Sequence, residues 1–234
     1  MDNTYVHYYA QLPERLRRDV YMPLLTALRS HQMCALPFVT VGEVETVLDC
    51  IQLEQPILSF YREYNYRTFR SLVFSVEPQY LLSAERQRAV SDGVRAAAAR
   101  IAAYARTVSD DPAMQFCAVY DRLSAHVTYD SALHSYAFCA AGALLYASAA
   151  CLGISLGLKA VCDELGIPTV CVRGEHEGEP HAWSLVRLYG RWWPTDLTVG
   201  VCRSTPGHVC RDGLCALPEP EKYRAWERFR YPGG

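Results

Sequence analysis

The sequence predicts an α+β fold in which a helix carrying a candidate nucleophile packs on an antiparallel sheet, preceded by a mainly helical extension. Three observations lead there. Apolar residues recur at helical spacing in CLGISLGLKAVCDEL, residues 151–165. Three runs rich in β-branched and aromatic residues follow, Thr169–Arg173, His181–Leu188 and Arg191–Leu197. Upstream, long patterns bounded by helix-capping signals dominate.

Taken in chain order, each element has a local reason. MDNTYVHYYAQLPERLRR lacks an apolar signal region, which predicts a cytoplasmic chain. Thr40-x-x-Glu43 is a capping-box signal that opens a helix through about Ile51. Tyr66–Glu77 (YRTFRSLVFSVE) has the content of one or two strands, expected to add to the core sheet. Ser83 precedes an Ala- and Arg-rich helix to about Arg106, and Asp111-Pro112 starts another with Phe116, Val119, Leu123 and His126 along one side.

From Ser135 to Leu158 there is no charged residue, which is long enough for a membrane span, and Gly153-x-x-x-Gly157 mimics a helix-dimerisation motif. The run is mostly Ala, Ser, Gly, Cys and Tyr, however, so its hydrophobicity is weak for a span of that length. Gly166-Ile167-Pro168 ends the helix over 151–165. GEHEGEP, from Gly174, reads as a polar loop, and Tyr189-Gly190 as a two-residue hairpin turn. The closing PEPEKYRAWERFRYPGG suggests a short amphipathic helix with Tyr223, Trp226 and Phe229 on one side. The expected division is a helical extension over 1–110, a core over 111–200 and a Cys-containing tail over 201–234.

Half of the 234 residues are hydrophobic, enough for a sizeable core, and the formal net charge is −2. No broad attraction to nucleic acid or to an anionic membrane follows from that balance, and no membrane partner is expected. The arginines of PERLRR and AERQR read as solvated helix faces. In a reducing cytosol the ten cysteines should mostly be free thiols.

The candidate chemistry lies in Cys151, His181 and Asp196. A cysteine at a helix N-terminus faces unpaired N–H groups and the positive end of the helix dipole, so its thiol ionises below the usual value of about 8.5. If Tyr189-Gly190 is the turn, Leu188 faces Arg191, and counting back sets Trp183 opposite Asp196. His181 then shares that face, diagonal to Asp196 and within side-chain reach. A one-residue slip would destroy the arrangement.

These residues resemble the core of the transglutaminase-like superfamily of papain-fold cysteine enzymes. The family pattern runs Cys-x-Gly-Tyr-Ala, a helix ending near Leu-Cys-Asp-Glu-Leu-Gly-Ile-Pro, then His-Ala-Trp-Asn and an Asp after a Trp-containing strand. Cys151, Gly153, Cys162 to Pro168, His181 to Trp183, Trp192 or Trp193 and Asp196 fall on those positions. Tyr129-Asp130 resembles a segment that commonly precedes the core. The resemblance also implies that the uncharged run splits into two soluble helices with the break near Ala147 to Ala150, so that Gly153 and Gly157 let the second helix approach the sheet. Ile154-Ser155 and Ser184 depart from the pattern, and neither removes a reacting group.

The resemblance implies a catalytic triad of Cys151, His181 and Asp196, no cofactor, and a protein or peptide substrate. The implied reaction is acyl transfer from an amide through a thioester, with hydrolysis expected as in bacterial single-domain relatives. Cross-linking of amines to glutamine and a non-catalytic scaffold are the alternatives. Trp183 reads as a core aromatic and a candidate wall of the substrate groove. Tyr129 is a candidate groove residue and the one candidate for a second oxyanion donor beside the Cys151 N–H. Cys202, His208, Cys210 and Cys215 are soft ligands close in sequence, but without Cys-x-x-Cys knuckles they match no common zinc module, so no metal is expected.

Overall fold

Three of the helix starts are built by side chains that take up backbone N–H groups left unpaired at a first turn. The computed structural model describes residues 4–58, 61–203 and 220–232. A helical stretch comprises α1 (Glu14–Leu16), a π turn over Arg17–Tyr21, and α2 (Met22–Ser30), and ends at His31 in the left-handed region. After β1 (Cys34–Val39) comes α3 (Val41–Glu54). There the Glu43 N–H donates to Thr40 Oγ1 at 3.2 Å and the Thr40 N–H donates to Glu43 Oε2 at 2.8 Å, the capping box the sequence signals.

β2 (Tyr61–Phe69) and β3 (Leu72–Tyr80) form a hairpin. Ser83 caps α4 (Ala84–Val108), and Asp111 caps α5 (Pro112–His126) by accepting the Ala113 N–H at 2.7 Å. A short parallel pair, β4 (Thr128–Tyr129) and β5 (Ser148–Ala149), flanks α6 (Ala140–Leu144). Then follow α7 (Cys151–Leu165), β6 (Thr169–His176), β7 (Glu179–Leu188), β8 (Arg191–Thr195), α8 (Leu197–Arg203) and β9 (Tyr223–Ala225).

The core sheet is antiparallel in the order β8-β7-β6-β9, and α7 packs on β6 and β7. Every residue of α7 from Leu152 to Asp163 is buried. The larger of two buried apolar clusters among the described residues takes in Tyr8 near the start, Leu24, Val47, Ala98, Phe116, Ile154 and Phe229. Buried Lys159 extends its ammonium to the Tyr5 carbonyl at 2.8 Å, Asp163 Oδ1 at 3.0 Å and the Thr169 carbonyl at 3.2 Å. The N-terminal segment is thereby pinned to α7, with three acceptors offsetting the desolvation of the charge.

Five expectations need correction. The Tyr66–Glu77 segment does not extend the core sheet; it belongs to a separate sheet in the order β1-β3-β2, because β1 takes the edge of β3 and β9 takes the edge of β6. The chain does not leave the sheet at Gly174: β6 runs on to His176, and Glu177 and Gly178, both at positive φ, turn directly into β7. β8 stops at Thr195, because Asp196 Oδ1 accepts the Thr198 N–H at 2.9 Å and turns the chain into α8.

Gly153 and Gly157 face the segment before α7 rather than the sheet. A Cβ on Gly153 would overlap the Ala137 carbonyl oxygen, and one on Gly157 would lie 2.7 Å from the Ala143 Cβ. Lastly, Tyr223–Ala225 is a strand, not an amphipathic helix; Phe229 is buried and Trp226 exposed. The uncharged stretch is divided among a 3-10 turn, α6, β5 and α7, and among the described residues no helix is long and apolar enough to cross a membrane.

Candidate functional site

Cys151 is the first residue of α7, and Ala150 before it is extended, with no side chain capping the helix. The first-turn N–H groups therefore converge on the region of the sulfur. The Sγ is half-buried, with the Leu152 and Ala182 backbone N–H groups and His181 acting on it. Burial pushes the thiol up, but the His181 hydrogen bond and charge, together with those two N–H groups, hold it below the ordinary cysteine value.

His181 stands on β7. The register observed is the one counted from the turn: Leu188 pairs with Arg191 and Ser184 with Thr195, the last pair before Asp196. Tyr189 and Gly190 both have positive φ, which suits the two-residue turn that fixes this register. His181 Nε2 donates to Asp196 Oδ2 at 2.7 Å. Nδ1 is left for the sulfur. Burial lowers the imidazole, while the hydrogen bonds and charges of Asp196 and Cys151 raise it further, up to about 9. A thiolate beside an imidazolium is the state these environments favour.

Asp196 is only 3% exposed. Its Oδ1 accepts the Thr198 N–H, and its Oδ2 accepts the Tyr223 hydroxyl at 2.9 Å as well as His181. The Tyr120 hydroxyl donates to the Asp196 carbonyl at 2.9 Å. Tyr120, Thr198 and Tyr223 were not anticipated from the sequence. The apolar–charged–apolar run Tyr223-Arg224-Ala225 was a short period-two signal that could have located the last of them.

Trp183 is 4% exposed; it packs with Val172, and its ring stacks at 18° beside His181, with centroids 6.3 Å apart. It backs the histidine instead of presenting an open wall. Tyr129 is 41% exposed. Burial, then the nearby Cys151, Cys202 and Asp196, push its phenol up, so its hydroxyl remains a donor at neutral pH. With Val201, Cys202 and His126 it lines a groove of about 540 Å³.

Of the four soft ligands named from the sequence, Cys202 is exposed on α8, and His208, Cys210 and Cys215 lie outside the described residues. Among the described residues no group of three or more His, Cys, Asp or Glu could hold a metal ion. Seven cysteines among the described residues are free thiols, Cys151 included, and Cys117 is disulfide-bonded.

No protein-family model matches this sequence, and no curated protein matches it. Among solved structures, a TGase crystal structure is similar at 14% identity, covering 71% of this chain and 50% of that one, with a TM-score of 0.43. The periplasmic domain of TgpA from Pseudomonas aeruginosa is similar at 16% identity, covering 57% of this chain and 58% of that one, with a TM-score of 0.39. The chain spans half the length of the first and 58% of the second.

Proposed function

We propose that the protein is a transglutaminase-like cysteine enzyme that cleaves an amide, in a peptide bond or a glutamine side chain, through a thioester. One observation carries the reading: His181 is hydrogen-bonded to buried Asp196 and acts on Cys151, the first residue of a helix. The thiolate of Cys151 attacks the amide carbonyl and a C–S bond forms. His181 gives its proton to the departing amine as the C–N bond breaks. Neutral His181 then takes a proton from water, whose oxygen bonds to the acyl carbon; the C–S bond breaks and the thiolate returns.

Asp196 holds the imidazole in the tautomer that keeps Nδ1 toward the sulfur and stabilises its charged form. The Cys151 backbone N–H is a donor for the oxyanion, with the Tyr129 hydroxyl as its companion. A protein or peptide is the substrate class, and water the acceptor.

Limiting iodoacetamide at pH 6, followed by mapping of the labelled cysteines, tests the nucleophile. Cys151 should react at least tenfold faster than the other thiols, and equal labelling would refute the activated thiolate. Glutamine-containing peptides, with and without a primary amine, then separate the outcomes by mass. Ammonia loss or cleavage supports hydrolysis, and amine incorporation would replace water with an amine as acceptor.

A further inference from the structure

Tyr223 reaches the candidate site on a strand far from it in sequence. β9 pairs antiparallel with β6 in the register Gly174↔Ala225, Glu175↔Arg224 and His176↔Tyr223. The approach is close because residue 174 is glycine: a Cβ there would overlap the Arg224 carbonyl oxygen and lie 2.7 Å from the Trp183 ring. Beyond β9 the segment is tied down further. The Trp226 N–H donates to the Arg173 carbonyl at 3.0 Å, Arg228 pairs with Asp49, and the Phe229 ring lies 4.6 Å from that of Tyr8.

Delivered this way, the Tyr223 hydroxyl donates to Asp196 Oδ2, the same oxygen that accepts from His181. A carboxylate oxygen with two donors shares its negative charge between them, so each donor sees less of it. We infer that Tyr223 is a positioning residue that draws charge from Asp196, so that His181 releases its proton between the two halves of the reaction. The inference rests on the hydrolase reading above. Its chemical sense is that deacylation needs neutral imidazole as base, whereas an unshared carboxylate would hold the imidazolium.

Asp196 does not depend on Tyr223 for its place, since Thr198 holds Oδ1 and Tyr120 holds the backbone carbonyl. Among the described residues, the other titratable groups facing His181 are Cys151 on α7, Asp196 after β8 and His176 on β6, its ring 5.6 Å away. Tyr129 on β4 and Cys202 on α8 feel the Asp196 charge from farther off. Tyr223→Phe alters none of these, and it keeps the ring that packs against His176 and Trp183.

The test uses the full chain and p-nitrophenyl acetate, which acylates a reactive thiolate and reports burst and turnover separately. In Tyr223→Phe the burst at Cys151 should stay within about twofold of wild type. Steady-state turnover at pH 7 should fall about threefold, and its rising limb should move up by about half a pH unit, the shift that lowers the neutral imidazole fraction threefold. Gly174→Ala, which displaces β9 while leaving the tyrosine in the chain, should move the limb the same way. A Tyr223→Phe limb that superimposes on the wild-type limb, with circular dichroism unchanged, overturns the inference whatever happens to the rate. A wild type without a burst at Cys151 overturns the triad reading itself and this inference with it.

Discussion

Gly153 offers a sharp test of what seats the candidate nucleophile. A Cβ added there would overlap the Ala137 carbonyl oxygen and come within 2.9 Å of the Cys139 carbonyl oxygen. Neither oxygen is free to yield: Ala137 O accepts the Ala150 N–H at 2.9 Å and Cys139 O accepts the Gly142 N–H at 3.0 Å. Overpacking a dense site costs about 1–3 kcal/mol, and two anchored backbone atoms place Gly153→Ala at the upper end, about 3 kcal/mol. That is roughly a hundredfold in the folding equilibrium. Gly42 in α3 is the control. A Cβ there meets nothing within 4 Å, so Gly42→Ala should stabilise by about 0.5 kcal/mol through lost unfolded-chain entropy. Urea denaturation of both variants decides the matter. A Gly153→Ala protein within 1 kcal/mol of wild type would refute the claim that this contact fixes the start of α7.

Two further predictions concern charge. In Asp196→Asn the main groups opposing burial at His181 are weakened, so its deprotonation should move down from about 9, opposite in sign to Tyr223→Phe, and iodoacetamide labelling of Cys151 at pH 6 should fall at least tenfold; a pH profile of labelling reads both. Lys159→Met leaves Asp163 buried without its cation, which should cost about 3–5 kcal/mol in urea denaturation, and adding Asp163→Leu should recover part of that loss.

What the sequence disclosed is what short-range chemistry decides. The caps at Thr40, Ser83 and Asp111 need only the next few residues, and all three start helices where expected. The Tyr189-Gly190 turn fixes the β7–β8 register by itself, and the closeness of His181 to Asp196 follows from that register. What stayed hidden depends on partners distant in sequence. Gly174 reads as a loop residue until β9 is seen against it, and Tyr223 gives no sign of its carboxylate partner before the sheet is assembled. Gly153 was legible as a point of close approach, but the choice between sheet and preceding segment belongs to the tertiary packing.

Sulfur and imidazole are carried by different layers, one on α7 and the other on β7, joined by buried apolar residues such as Ile154, Leu158, Ala182 and Val186. Their alignment is therefore a property of interlayer spacing, and a methyl group added or removed at that seam changes the gap before it unfolds anything. Reactivity in such a protein drifts with silent-looking changes in its interior, and variants selected for speed would cluster in the filling between the layers, away from the groups that meet the substrate.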